Sequence, residues 1–335
     1  MPAAGFPVRP RAGTGLPSRR RAAYRYHLFM ATAVVSPTRG EQQRSAQAAA
    51  CVRLGFRLGD CVLGVDVADD AALRLLEEAY ALLQCPAAGV RARALLQRLS
   101  DGRLHVRYGR HALRLTNAAD PVALRAAYHA AREIFARFAC EPQHAIAVYG
   151  ALCEVDDGAV LLLGPTAIGK TLLALHLASA GARFLGDDTA VLSPASGEAY
   201  AMPRRPSLRE SALPLLPKPE LRETIAASPS YFETERGRFW YALDGSALGI
   251  EPCPRPYRLR AICVVRERGE EAAVRSVDRE YALKLLAQRA YMRPTSLAQL
   301  GALARATRRA ACFEMTLGTP ESSAQALLHE VRTCA

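Results

Sequence analysis

The sequence predicts an α/β protein in three parts: a disordered basic tail over residues 1–45, a small α+β domain over 50–140, and a larger α/β domain over 141–335. Three observations carry this reading. Residues 161–177, LLLGPTAIGKTLLALHL, set an apolar strand directly before a glycine-bounded loop and an apolar helix, a unit from which α/β folds are built. Residues 51–115 show period-2 alternation interrupted by one amphipathic helix. The first 45 residues combine Pro, Gly, Arg and Ser without either periodicity.

With 335 residues, 50% of them apolar and 23% charged, the chain has enough apolar material for one large or two smaller cores. No apolar run reaches the roughly 20 residues of a membrane-spanning helix. The nine cysteines are scattered and never form C-x-x-C, so reduced thiols in a cytosol are expected rather than a disulfide framework or a zinc site. The net charge of +12 is concentrated in the tail, where eight arginines face one acid, Glu41, leaving +5 for residues 46–335. That remainder is interspersed with Asp and Glu and shows no basic stripe interleaved with aromatics, so no nucleic acid partner is expected. Arg19, Arg20 and Arg21 before HLFMATAVV resemble a twin-arginine export signal. An upstream-extended start, with Met30 the initiator, is the preferred reading. A cytoplasmic location is expected, because a site that uses ATP needs that nucleotide supply.

The small domain begins with CVRLGFRLGDCVLGVDV, which alternates as two strands paired about Gly59 and Asp60. DDAALRLLEEAYALL spaces its apolar residues at three and four, as an amphipathic helix does. GRLHVRYGRHALRLT reads as a hairpin turning at Gly109, and Asp120 with Pro121 opens a further helix, VALRAAYHAAREIFARF. His105, His111 and His129 are isolated on these faces and read as structural or solvated.

The larger domain opens with HAIAVYGALCEV, expected as one strand, then a turn at Asp156, Asp157 and Gly158, then the buried strand AVLLL. Gly164, Pro165, Thr166, Ala167, Ile168, Gly169, Lys170 and Thr171 satisfy G-x-x-x-x-G-K-[ST], the P-loop. Glycines allow successive backbone N–H groups to point at phosphate oxygens, and the following helix adds its positive N-terminal end. Lys170, expected as an exposed loop charge, would reach the β and γ phosphates, and the Thr171 hydroxyl would bind Mg²⁺. Lysine is scarce here, three against 41 arginines, yet one stands where this motif needs it. The helix ends at Gly181 in the usual C-terminal role. Seventeen and eighteen residues after Lys170 come Asp187 and Asp188, at the end of the short strand ARFLG, where a carboxylate would lie beside the loop.

At these residues the sequence resembles the C-terminal catalytic domain of HPr kinase/phosphorylase and the related kinases of bacterial peptide-modification clusters. That family shows a histidine on a strand, the phosphate loop, a helix ending in Arg-Gly-His and a pair of aspartates. The corresponding residues are His144, Gly164 to Thr171, Ala180-Gly181-Ala182, and Asp187 with Asp188. The resemblance covers residues 143–195 and fades through YAMPRRPSLRES, where Arg204 and Arg209 look like the basic loop near the phosphates. It implies a kinase fold of the HPr kinase/phosphoenolpyruvate carboxykinase type, with ATP and Mg²⁺ as cofactors. His144 lies five residues farther from the lysine than the family places its histidine, Leu172 replaces a family glutamate, and Ala182 replaces the histidine after the helix. Phosphorylase activity and HPr itself are therefore not carried over.

The implied chemistry is transfer of the γ-phosphoryl group to a Ser/Thr-type hydroxyl of a protein, peptide or small molecule. Asp188 would accept the hydroxyl proton, Asp187 and Thr171 would serve the metal, and Lys170 the phosphates, with His144 a further catalytic candidate. Arg204, Arg205 and Arg209 are candidates to hold the transferring charge. The alternative is a non-catalytic nucleotide-binding partner that regulates another enzyme. Expected partners are a nucleotide and the hydroxyl acceptor, with no membrane, and a homo-oligomer is left open. Downstream, PLLPKPE reads as a turn, ERGRFWYALDG as a hairpin, LRAICVVRER as a buried strand of the main sheet, and the C-terminal segment from Arg293 as helix, strand and helix.

Overall fold

The alternation in VRLGFRL and CVLGVDVA folds as an antiparallel pair, β1 (Val52–Leu58) and β2 (Cys61–Ala68), in register from Val52↔Val67 to Leu58↔Cys61. The computed structural model describes residues 51–58, 61–90, 92–99, 104–109, 111–115, 131, 134–135, 146–193, 195–202, 206, 208–226, 231–234, 237–240, 255–291 and 297–334. The tail over 1–45, most of the helix expected after Pro121, His144, Arg204 and Arg205 lie outside these residues. Every described residue belongs to one compact unit, Ala33–Ala335.

Helix α1 (Asp70–Ala79) follows β2, and its first turn is closed by Asp69, whose carboxylate accepts the Ala72 N–H at 2.8 Å. Strands β3 (Gln84–Cys85), β4 (Ala92–Arg98), β5 (Leu104–Tyr108) and β6 (His111–Leu115) complete a sheet ordered β3-β1-β2-β4-β5-β6. Only β2 and β4 run parallel, and the β5–β6 hairpin turns at Gly109 as expected. Phe56, Leu63, Val65 and Leu96 are buried against Leu75 and Leu76 of α1. Tyr80, just past α1, stacks on Phe135 with centroids 4.0 Å apart, and Phe56 meets the same ring edge-on.

The segment HAIAVYGALCEV, expected as one strand from His144, is two over its described residues. Strands β7 (Ile146–Val148) and β8 (Gly150–Val155) meet at Tyr149, whose backbone N–H turns away from the strand ladder to donate to the Arg289 carbonyl at 2.7 Å. Strand β9 (Gly158–Leu163) pairs antiparallel with β8, and Gly150 permits their close approach: a Cβ at that position would stand 2.7 Å from the Leu162 carbonyl oxygen. After β9 come helix α2 (Lys170–Ser179), β10 (Arg183–Gly186), β11 (Ala190–Leu192), β12 (Ala199–Ala201), β13 (Leu208–Arg209), α3 (Pro219–Ala226), and the hairpin β14 (Tyr231–Thr234) and β15 (Gly237–Trp240). The chain then runs through β16 (Pro256–Tyr257), β17 (Leu259–Arg268), β18 (Ala273–Ser276), α4 (Arg279–Gln288), α5 (Leu297–Arg309), β19 (Ala311–Leu317) and α6 (Pro320–Thr333).

These elements make a mixed α/β architecture with several sheets. The central sheet is ordered β10-β8-β9-β17-β19-β18, with β9, β17 and β19 parallel and the flanking strands antiparallel. Its continuous apolar run AVLLL fits a strand covered on both faces. Val160 and Leu162 face α2 and α6 with Cys263, Phe313 and Leu327. Leu161 and Leu163 face the other way, with Ile262, Leu286 and Leu303, against α4, α5 and a four-stranded sheet ordered β16-β12-β11-β7. That second sheet is itself buried on both sides. Ile146, Val148, Ala190 and Leu192 point to the central sheet, while Ala147 and Val191 join the cluster under the first sheet. Neither this inserted sheet nor α4 is anticipated by the sequence reading. Among the described residues, no helix is long and apolar enough to cross a membrane.

The alternation along β9 makes Leu161 a sensitive probe of the core. It is fully buried, so Leu161→Ala is expected to lower unfolding stability by about 2–5 kcal/mol, read as a shifted midpoint in a denaturant titration.

Candidate functional site

The site lies where β9 and β17 end, at the carboxyl edge of the parallel strands. Gly164 leaves β9 with φ +151 and packs so close to β17 that a Cβ would stand 2.7 Å from the Val265 carbonyl oxygen. No other residue type fits both the dihedral and the contact. Pro165 and Ile168 are half-buried while Thr166 and Ala167 are exposed at the loop tip, Ala167 with φ +64. Arg268, at the end of β17, donates from Nε to the Ile168 carbonyl at 2.9 Å and so fastens the loop to the sheet. Gly169 precedes α2, whose first turn is closed by the Leu173 N–H on the Gly169 carbonyl at 2.9 Å. The other end of α2 stops as expected, with the Ala182 N–H bonded to the Leu177 carbonyl and the Gly181 N–H to that of Ala178.

Lys170 is not the exposed loop charge that the sequence suggests. It is 4% exposed, and its Nζ donates to the carbonyls of Gly164 at 3.2 Å and Pro165 at 2.8 Å. The side chain curls back under the loop because those carbonyls are the nearest acceptors for a buried ammonium. The Tyr149 ring lies 4.3 Å from Nζ, within cation–π range. Burial pushes the Lys170 pKa down to about 8; Asp188 and Asp187 act in the opposite direction, and Arg289 adds to the lowering.

The aspartates follow β10. Asp187 is buried, and both its carboxylate oxygens accept from the Thr171 hydroxyl, at 3.1 and 2.9 Å. Asp188 is half-buried and left-handed, with φ +62. The turn is closed by the Thr189 N–H on the Asp187 carbonyl at 2.7 Å. The Tyr291 hydroxyl donates to the Asp188 carbonyl at 2.8 Å and lies 3.1 Å from the Thr189 hydroxyl.

The fold thus brings Lys170, Thr171, Asp187 and Asp188 together within one loop and one turn. His144 and Arg204 lie outside the described residues. Arg209 ends β13, in register with Phe239 in a separate three-stranded sheet. Four further residues enter the site from elsewhere: Tyr149, Arg268, Arg289 and Tyr291. Tyr149 is five residues nearer the lysine than His144, the spacing from which His144 departs, so that mismatch was the available signal. The other three come from sequence positions about a hundred residues away and left none.

A divalent cation fits this donor set. Among the described residues, no group of three or more His, Cys, Asp or Glu could hold a metal by itself. The Thr171 hydroxyl and Asp187 carboxylate are adjacent hard oxygens, which suits Mg²⁺, an ion that takes one or two protein oxygens and fills its remaining positions with phosphate and water.

No protein-family profile and no curated protein sequence matches the chain. Among solved structures, it is similar to the Hpr(Ser) kinase/phosphatase from Coxiella burnetii, at 11% identity and a TM-score of 0.28, over 56% of this chain and 88% of that one.

Proposed function

We propose that the chain is an ATP-dependent phosphotransferase that moves the γ-phosphoryl group to a hydroxyl of a peptide, protein or small molecule. The observation that carries this reading is the placement of two adjacent carboxylates, Asp187 and Asp188, against a buried lysine at the mouth of a G-x-x-x-x-G-K-T loop. A cradle that only holds nucleotide needs the loop, the lysine and one metal-side acid. The second carboxylate suits a proton acceptor.

In this mechanism the N–H groups of the loop and the N-terminus of α2 bind the phosphates. Lys170 exchanges the carbonyls of Gly164 and Pro165 for phosphate oxygens. Thr171 and Asp187 would hold Mg²⁺, which when bound would supply charge neutralisation for the transferring group. Asp188 takes the acceptor's hydroxyl proton as its oxygen bonds to the γ-phosphorus and the bond to the β-phosphate oxygen breaks, leaving ADP. The resemblance to HPr-kinase-related enzymes supports the same assignment of roles.

One observation favours the regulatory alternative: Leu172, at the position of the family glutamate, is buried in the apolar face of α2. The discriminating experiment is mass spectrometry of candidate peptides and cell extract incubated with the protein, ATP and Mg²⁺. A gain of one phosphate on an acceptor that depends on Lys170 is expected. Nucleotide binding with no transfer and no hydrolysis would leave the regulatory reading standing instead.

The lysine's environment predicts a pH dependence. With its pKa near 8 in the free protein, Lys170 is charged below that pH and loses its proton above it. Bound phosphate stabilises the charged form, so ATP affinity should be level below about pH 8 and weaken above it by up to about tenfold per pH unit. Calorimetry in buffers of different ionisation heat should show proton uptake on binding in the alkaline range. Level affinity through pH 9.5 would contradict a contact between this lysine and phosphate.

A further inference from the structure

Tyr149 and Tyr291 arrive from opposite ends of the catalytic region and meet between Lys170 and Asp188. The segment after α4 pairs with the junction of β7 and β8. The Tyr149 N–H donates to the Arg289 carbonyl at 2.7 Å, the Tyr291 N–H donates to the Ala147 carbonyl at 2.8 Å, and Val148 and Ala290 form an antiparallel bridge. This short pairing fixes the backbones from which both rings project. The rings stand edge to face, 6.3 Å apart at 82°. One ring faces the Lys170 ammonium and the other carries its hydroxyl to the turn that holds Asp188.

We propose that Tyr291 is a positioning residue for phosphoryl transfer, holding Asp188 in its left-handed conformation through the hydrogen bond to the Asp188 carbonyl. The inference rests on the proposed role of Asp188 as base. A non-glycine residue with φ +62 persists only where its surroundings over-determine it, and the contacts at this turn do so. The single proton of Tyr291 goes to the Asp188 carbonyl, so at the second contact the Thr189 hydroxyl donates to the Tyr291 oxygen. Thr189 is buried, and its N–H closes the turn on the Asp187 carbonyl. The carbonyls of both aspartates are therefore pinned, and the Asp188 carboxylate is held within electrostatic reach of Lys170. Without the Tyr291 hydroxyl the turn can relax toward negative φ, which swings the Asp188 carboxylate away while leaving the phosphate loop untouched.

The test uses Tyr291→Phe in the full chain, with water as the acceptor and hydrolysis of ATP in Mg²⁺ as the readout. Phenylalanine keeps the edge-to-face contact with Tyr149 and removes only the hydroxyl. The expected result is a kcat at least tenfold lower with KM for ATP and the calorimetric Kd for ATP within twofold of wild type, because Lys170, Thr171 and the loop are unchanged. A wild-type kcat in the variant overturns the inference and leaves the phosphotransferase reading intact. An equal loss of ATP affinity and kcat also overturns it, since it would mark a general support of the fold. A wild-type chain that binds ATP but hydrolyses none counts against the phosphotransferase reading. The hydroxyl is then judged by a stability cycle. Tyr291→Phe should lower Tm less in an Asp188→Gly background, where glycine tolerates the left-handed conformation unaided, and equal shifts in both backgrounds overturn the link to Asp188.

Discussion

Lys170→Met is expected to raise the Kd for ATP by about 10²-fold or more while leaving the melting temperature at pH 7 unchanged or higher. A charged hydrogen bond contributes about 1.5–3 kcal/mol, and an ammonium that meets two phosphates in a site with little water makes more than one. Stability should move the other way. Folding lowers the Lys170 pKa from 10.5 to about 8 because burial disfavours the charged form. A group whose pKa falls on folding makes the native state less stable wherever it must stay protonated, and that cost is present in full below pH 8 and fades as pH rises toward 10.5. Methionine keeps apolar contact with the Tyr149 ring and carries no charge to desolvate. The same sign predicts that wild-type stability rises between pH 8 and 10.5 through this residue, and that Lys170→Met removes that rise. A variant that melts well below wild type at pH 7 would show that the two carbonyl contacts of Lys170 outweigh its desolvation.

What could be read in the sequence divides by the distance over which the determining contact acts. The β9–loop–α2 unit, its end at Gly181 and the spacing from Lys170 to the aspartates are local. Each depends on residues within about a turn of one another or on one strand after one helix, so composition and spacing sufficed. LRAICVVRER also read correctly as a buried strand, and it stands between β9 and β19 in the centre of the sheet. The break at Tyr149 could not be read, because its cause is the Arg289 carbonyl, 140 residues on, which draws the Tyr149 N–H out of the ladder. The inserted sheet has the same origin. Strands β7, β11, β12 and β16 are two or three residues long and become a sheet only through pairings across the chain. The burial of Lys170 was missed for a different reason: a motif specifies where the lysine stands in the loop, whereas its exposure depends on which groups close over it, here Tyr149 and the loop's own carbonyls.

In the proposed mechanism the aspartates carry the step from holding a nucleotide to transferring phosphate, and the two should separate cleanly by mutation. Asp188→Asn keeps the shape of the side chain and much of its hydrogen bonding but cannot accept the acceptor's proton. The turnover number should fall by about 10² to 10⁴-fold, with ATP affinity nearly unchanged, because the substitution leaves Lys170, Thr171 and the loop in place. Asp187→Asn acts elsewhere. Asp187 is 1% exposed and accepts the Thr171 hydroxyl on both oxygens, so the amide removes one of the two hard oxygens offered to Mg²⁺ and leaves the hydroxyl a poorer partner. Magnesium-dependent ATP binding and turnover should fall together, and raising Mg²⁺ should restore part of both. No concentration of Mg²⁺ should rescue Asp188→Asn, whose defect is in proton transfer. A magnesium titration of the two variants therefore distinguishes a base from a metal ligand. If both transferred phosphate at near wild-type rates, the pair would be a structural turn, and the lysine and loop would then belong to a module that binds nucleotide for another protein's use.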